Sequence, residues 1–185
     1  MPSLVGSEMC IRDSYKHVPL LQMQVRETMK NNVIGTHTVA ALAADNSVES
    51  FVLISTDKAV NPSSIMGASK RAAEAVCVAL DALTETRFTI VRFGNVLGST
   101  GSVVPLFQRQ LARGGPLSVT HPNMTRFFMT VREAVELVLE ASVLGLGSDR
   151  RNGELYVLDM GEPVRITDLA RQMICLLYTS PSPRD

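Results

Sequence analysis

Tryptophan is absent from this 185-residue chain, aromatics make up only 5% of it, cysteine occurs three times and the formal net charge is zero. Each shortage excludes something. Scattered Lys and Arg at zero net charge give no basic stripe, which argues against a nucleic-acid surface. No apolar run reaches the ~18 residues that would read as a bilayer span. His17, His37 and His121 lack metal-ligand spacing, so no metal site is expected. Cys77 lies among Ala75, Val76, Val78 and Ala79, the company of a small buried hydrophobe rather than of a nucleophile. The chain also contains no Gly-x-Gly-x-x-Gly turn, the fingerprint of a dinucleotide-binding strand–turn–helix; residues 94–101 have a different spacing.

The two ends are set apart from the fold. Residues 175–185 read from one DNA oligonucleotide, and Leu4 to Asp13 read from its reverse complement in another frame. Unrelated protein termini should not encode opposite strands of one string, and the string resembles a sequencing-library transposon end. Residues 1–14 and 175–185 are therefore expected to be a non-native leader and tail, which removes Cys10 and Cys175 from the cysteine count. Residues 15–174 remain as part of a longer gene product.

What is present in that part alternates helices with short apolar strands. Helical spacing covers residues 25–44, 64–83, 103–113 and 130–144, the last opened by a Thr130/Glu133 capping box. Thr167 and Asp168 are expected to cap a final helix. Strands are expected at residues 51–54, 87–92 and 154–158. The fold class is α/β: a doubly wound parallel sheet of Rossmann type lacking its N-terminal dinucleotide-binding half, with a small C-terminal part for substrate.

Chemistry concentrates just past the first of those strands. Phe51-Val52-Leu53-Ile54 is followed by Ser55-Thr56-Asp57-Lys58, then Asn61-Pro62, then Met66-Gly67-Ala68-Ser69-Lys70. Open α/β sheets bind ligands beyond the carboxyl ends of their strands. Lys70 follows Met66 by four residues, so both project from one helix face. A threonine, an aspartate and two lysines are thereby directed to one crevice.

This constellation resembles the active-site signature of the short-chain dehydrogenase/reductase superfamily in its extended, nucleotide-sugar-modifying branch. That pattern has a Ser or Thr near the strand end and Tyr-x-x-x-Lys on the next helix; here Met66 holds the tyrosine position. The substitution, with Thr56-Asp57-Lys58 upstream, is similar to the bacterial nucleotide-sugar 4,6-dehydratases of polysaccharide biosynthesis, including those acting on UDP-N-acetylglucosamine. The likeness runs from about Tyr15 to Ile174.

The resemblance implies roles. Thr56 would hydrogen-bond the sugar C4 oxygen, Asp57 would act as acid at C6 and Lys58 as base at C5, while the Met66 thioether handles no proton. Lys70, with Ser55 and Asn32, is assigned to the NAD or NADP side; as a helical Asn, Asn32 could equally be a kink or surface residue. Asn95, Ser102, Val103 and Arg126 are assigned to the nucleotide-sugar phosphates, the glycines of residues 93–101 letting backbone amides approach them. Taken singly, Arg126 could be an ordinary surface-turn arginine. His17 lies in a loop matching one near the cofactor but has no visible acid–base partner.

The expected protein is thus an NAD(P)-dependent lyase in the cytoplasm, homo-oligomeric, whose parent can carry membrane helices upstream. The chain alone, without the glycine-rich loop, is expected to be inactive, weakly stable and weak in cofactor binding. A nucleotide-sugar epimerase of the same superfamily and a non-catalytic nucleotide-binding scaffold remain open.

Overall fold

A computed structural model describes residues 13–99, 101–147 and 153–179. The chain enters through α1 (Val18–Met23) and α2 (Val25–Met29), passes through one π turn (Lys30–Ile34) and continues as α3 (Gly35–Asp45). The helix expected over 25–44 is therefore continuous but locally widened at Asn31 and Asn32. Strand β1 (Ser50–Thr56) follows, closed by a 3-10 turn (Asp57–Ala59), and then the long helix α4 (Ile65–Leu83) and strand β2 (Arg87–Phe93).

α4 starts where its sequence dictates. Ser64 is extended and its hydroxyl accepts from the Gly67 amide at 3.2 Å, an N-cap of the usual kind. Its buried stripe is Met66, Lys70, Ala73, Glu74, Cys77 and Asp81, a helical repeat that carries charges at three levels. Asp81 is satisfied at the base of the sheet, accepting from the Phe88 amide at 2.7 Å and the Gly153 amide at 2.9 Å.

β1, β2 and β6 (Glu154–Val157) form a three-stranded parallel sheet in that order, with Ser55 opposite Arg92 and Thr56 opposite Phe93. Helices cover both faces, as a doubly wound sheet requires. On one side Ala40 of α3 and Ala73 and Cys77 of α4 join Leu53, Phe88 and Ile90 in one core. Cys77 is fully buried there, and burial pushes its thiol up to about 12. On the other side α6 (Val131–Leu146) lays Ala134 and Ala141 against Val91, Met129 and Leu158. α6 comes so near that a Cβ on Gly145 would stand 2.1 Å from Thr89 Oγ1. The Thr130/Glu133 capping box forms as its sequence predicts.

The small C-terminal part is assembled from α5 (Val103–Ala112) and α7 (Ile166–Thr179) around Phe107, Ile166 and Ala170. Two short pairings stitch it on: β3 (Asn95–Val96) with β5 (Phe128–Met129), and β4 (Thr125–Arg126) with β7 (Val164–Arg165). Because β7 runs directly into α7, that helix begins at Ile166; Thr167 lies inside its first turn rather than capping it, its hydroxyl 3.4 Å from the Pro122 carbonyl. α7 also crosses the 174/175 boundary expected from the sequence, while most of the leader and of the tail lie outside the described residues.

β1 has β2 as its only strand neighbour among the described residues. Ile54 is 48% exposed on it, and α6 exposes Val131, Val135, Leu139 and Val143 at successive turns. No helix among the described residues is long and apolar enough to cross a membrane.

Candidate active site

β1 delivers Thr56 to the carboxyl end of the sheet, and the 3-10 turn folds the next two residues back beside it. Thr56 Oγ1 donates to Asp57 Oδ1 at 2.8 Å. Lys58 Nζ donates to the same oxygen at 2.9 Å and to Asn95 Oδ1 at 3.3 Å. Hydroxyl, carboxylate, ammonium and amide thus form one hydrogen-bonded chain across the ends of β1 and β2. Asp57 and Lys58 are each about a quarter exposed, 25% and 27%, so the chain is sheltered yet open to solvent.

α4 closes on this turn through Gly67. A Cβ there would lie 2.5 Å from the Lys58 carbonyl oxygen, so only glycine permits the approach. Met66, 5% exposed, sits beside that contact in the chain, and Lys70 follows one turn on. Lys70 Nζ donates to the Ile54 carbonyl at 3.0 Å, two residues before Thr56. Burial lowers the Lys70 pKa to about 8, partly opposed by the attraction of Glu74.

Two residues assigned to the cofactor make internal hydrogen bonds. Ser55, alternating with Thr56 along β1, points under α4 and donates to Glu74 Oε1 at 2.6 Å. Asn32 is fully buried at the π turn, where its amide donates to the Tyr15 carbonyl at 2.9 Å and to Ser69 Oγ at 3.0 Å while its oxygen accepts from the Tyr15 amide at 2.8 Å. Of the two readings open for it, the kink is the one its bonds describe: it staples the entering chain to α4.

The residues assigned to phosphate are gathered more loosely. Asn95 joins the Lys58 chain directly. Arg126 is brought alongside because the Asn95 amide donates to the Phe127 carbonyl at 3.0 Å, but its guanidinium turns back on the Thr125 carbonyl at 2.8 Å. Ser102 occupies the N-cap of α5 without a side-chain capping bond, and its buried hydroxyl has no partner among the described residues. Val103 turns its side chain into the core around Phe107, leaving only its backbone for a ligand. Gly94 is tight toward protein: a Cβ would stand 2.8 Å from Met160 Sδ and 3.1 Å from the Phe127 carbonyl oxygen. His17 lies over Gly101, whose φ of +74° favours glycine.

Sequence reasoning missed the group beneath the site. Glu74 accepts from Ser55, from Arg92 Nε at 2.7 Å, from Arg92 Nη2 and from Arg71 Nη1 at 3.3 Å. The signal was available: Glu74 recurs one turn after Lys70 on the same helix stripe.

Comparison with known proteins agrees with this geometry. The polysaccharide biosynthesis protein family matches residues 8–185. The capsular polysaccharide biosynthesis protein CapD of Staphylococcus aureus is 54% identical over 164 residues, and the probable polysaccharide biosynthesis protein EpsC of Bacillus subtilis 53% over 163; each alignment covers 88% of this chain and 26% of the relative. A UDP-glucose 4-epimerase of Rickettsia canadensis is 39% identical over 145 residues, 77% of this chain and 41% of that protein. Among solved structures, Pen from Bacillus thuringiensis superposes with a TM-score of 0.81 at 32% identity, over 91% of this chain and 52% of that one. DesIV, a dTDP-glucose 4,6-dehydratase of Streptomyces venezuelae solved with NAD and TYD bound, gives 0.80 at 23% identity over 91% and 56%, a likeness of fold alone. The chain therefore spans about a quarter of the length of CapD and EpsC and about half that of the solved neighbours. With its parallel sheet wound on both faces and these relatives, the chain belongs to the polysaccharide biosynthesis protein family, and its fold is similar to that of the solved dehydratase and epimerase neighbours.

Proposed function

We propose that this chain carries the proton-handling crevice of an NAD(P)-dependent nucleotide-sugar 4,6-dehydratase, acting on UDP-N-acetylglucosamine for a bacterial surface polysaccharide. The observation that supports it is the Thr56–Asp57–Lys58–Asn95 hydrogen-bonded chain, together with Met66 in the tyrosine position of the next helix, a side chain unable to move a proton.

Lys70 suits the cofactor. An ammonium has three donors, the Ile54 carbonyl takes one, and ribose hydroxyls offer acceptors for the others. Lys70 would hold the nicotinamide ribose, and a cofactor bound there would supply the hydride acceptor for C4 and the hydride donor for C6. Every other step falls to side chains. The resting Lys58–Asp57 pair first sheds one proton to solvent, leaving a neutral amine beside a carboxylate. Thr56 holds the C4 hydroxyl and relays its proton across the 2.8 Å bond to Asp57. Lys58 takes the C5 proton as Asp57 delivers its own to the C6 hydroxyl, which departs as water. Lys58 then returns its proton to C5, which leaves the neutral amine and carboxylate with which the cycle opened; uptake of one proton from solvent restores the resting pair. General acid–base help of this kind contributes about 10²- to 10⁴-fold per positioned group.

On the phosphate side, the unpartnered Ser102 hydroxyl at the start of α5 and the Asn95 amide are placed to receive a diphosphate, with Arg126 rotating off the Thr125 carbonyl to join them. The full-length enzyme incubated with UDP-N-acetylglucosamine should release a product lighter by one water and bearing a 4-keto group. Asp57→Asn and Lys58→Ala should abolish it. Their turning over at the normal rate would refute the assignment.

The epimerase relatives favour a second reading, in which the same crevice oxidises and reduces C4 without elimination. A product of unchanged mass and inverted C4 separates the two.

A further inference from the structure

Glu74 takes no part in the steps above, yet its carboxylate, on a residue 2% exposed, is bonded from three segments of the chain. Ser55 Oγ and Arg92 Nε reach Oε1 at 2.6 and 2.7 Å, while Arg92 Nη2 and Arg71 Nη1 reach Oε2. Each buried partner stands immediately behind a site residue. Ser55 directly precedes Thr56; Arg92 pairs with Ser55 across the strands and leads through Phe93 and Gly94 to Asn95; Glu74 itself is one turn past Lys70.

We propose that Glu74 is a positioning residue for the candidate site: through Ser55 and Arg92 it fixes the ends of β1 and β2 against the turn of α4 that presents Lys70, so that Thr56, Asn95 and the Lys70 ammonium keep one spacing. Adhesion alone would not call for it. The strands already exchange backbone hydrogen bonds at this register, and burying a carboxylate with a guanidinium is a poorer glue than hydrocarbon of the same volume. What a forked, two-oxygen pairing adds is orientation. It also places a negative charge near Lys70, whose surroundings are the Ile54 carbonyl from β1 and Glu74 on its own helix, with Arg92 from β2 and Arg71 on the far side of the carboxylate. The inference rests on the dehydratase reading for what the spacing serves, but not for whether it is held.

Lysine titration tests it without turnover. The chain has four lysines, Lys16, Lys30, Lys58 and Lys70, so carbon-13 lysine labelling gives four signals, and Lys70→Arg identifies the one of interest. In folded protein the Lys70 midpoint should lie near 8. Glu74→Gln should lower it by about one further pH unit, because the attracting charge has gone and Arg92 remains. Glu74→Asp, which keeps the charge but retracts it and is the safer variant for folding, should give an intermediate drop. An unchanged Lys70 midpoint in both, or a rise toward an ordinary lysine with the circular dichroism still native, would overturn the proposal. In full-length enzyme the same variants should lose about tenfold or more in kcat with a smaller rise in KM, since Thr56 and Lys70 are displaced together while Asn95 is only one of the phosphate contacts. Failure of the wild type to form a 4-keto sugar would sink the dehydratase reading and leave the lysine titration to decide this one.

Discussion

Replacing Lys70 by methionine should make the folded chain more stable at neutral pH. Its ammonium is buried, and its pKa falls from 10.5 to about 8. A lysine held that far below its unfolded value disfavours folding by about 3 kcal/mol at pH 7, at roughly 1.4 kcal/mol per pH unit. The sign follows from proton counting. Between pH 8 and 10.5 the unfolded chain binds the proton that the folded chain has released, so stability rises with pH through that window. Methionine fills a similar volume without a charge and has nothing to titrate. It forfeits the hydrogen bond to the Ile54 carbonyl, about 1–2 kcal/mol, and leaves that oxygen and Glu74 without the ammonium. The net gain at pH 7 should therefore be about 1–2 kcal/mol. Urea unfolding of both proteins at pH 7, 8, 9 and 10 isolates the effect, because all other groups cancel in the difference. Wild type should overtake the variant as the pH approaches 10, and a difference that stays flat from pH 7 to 10 would refute the account of Lys70 as a desolvated cation.

Asp81→Ala removes the acceptor for the Phe88 and Gly153 amides and should cost about 2–4 kcal/mol in urea unfolding, whereas Asp81→Asn should recover part of it. Gly145→Ala drives a methyl into Thr89 and should cost about 1–3 kcal/mol; Thr89→Ala in the same protein should return most of that, since the two positions share one contact. Met66→Leu should keep both fold and turnover of the full-length enzyme to within a few-fold, because a volume-conserving swap at a buried site costs less than about 1.5 kcal/mol and no proton passes through the sulfur. Loss of turnover by a folded Met66→Leu protein would show that the thioether does more than fill space.

The parts of the site carried by neighbouring residues were legible in the sequence. Thr56, Asp57 and Lys58 follow one another off a strand, so their meeting needs only a turn, and the Met66–Lys70 spacing needs only a helix. Asn95 was legible as well, because the strand before it lies beside β1 and ends level with it. Residues whose partners lie far along the chain were harder. Ser55 reads like Thr56 until the two-residue period of a strand sends it to the opposite face, where Glu74 waits nineteen residues on. Asn32 likewise bonds Tyr15 and Ser69, seventeen and thirty-seven residues distant, and no local pattern announces such a bracket. Thr167 reads as a cap because Thr before an apolar run usually is one; the β4–β7 pairing, invisible in so short a strand, starts the helix two residues sooner.

The two lysines show why environment, and not residue type, divides the work. Lys58 stands on a turn, about a quarter exposed, hydrogen-bonded to a carboxylate and an amide that are themselves at the mouth of the sheet. It is open to solvent and in direct contact with Asp57. Lys70 is 8% exposed on a rigid helix, tied to a strand carbonyl and faced by Glu74. Its ammonium is costly to keep, and nothing about packing alone requires a lysine there, since methionine would fill the position. A chain that retains a buried cation at such a cost is using its charge or its donors. Its Nζ holds the Ile54 carbonyl, two residues before Thr56, and the Glu74 clamp lies one turn further along the same helix.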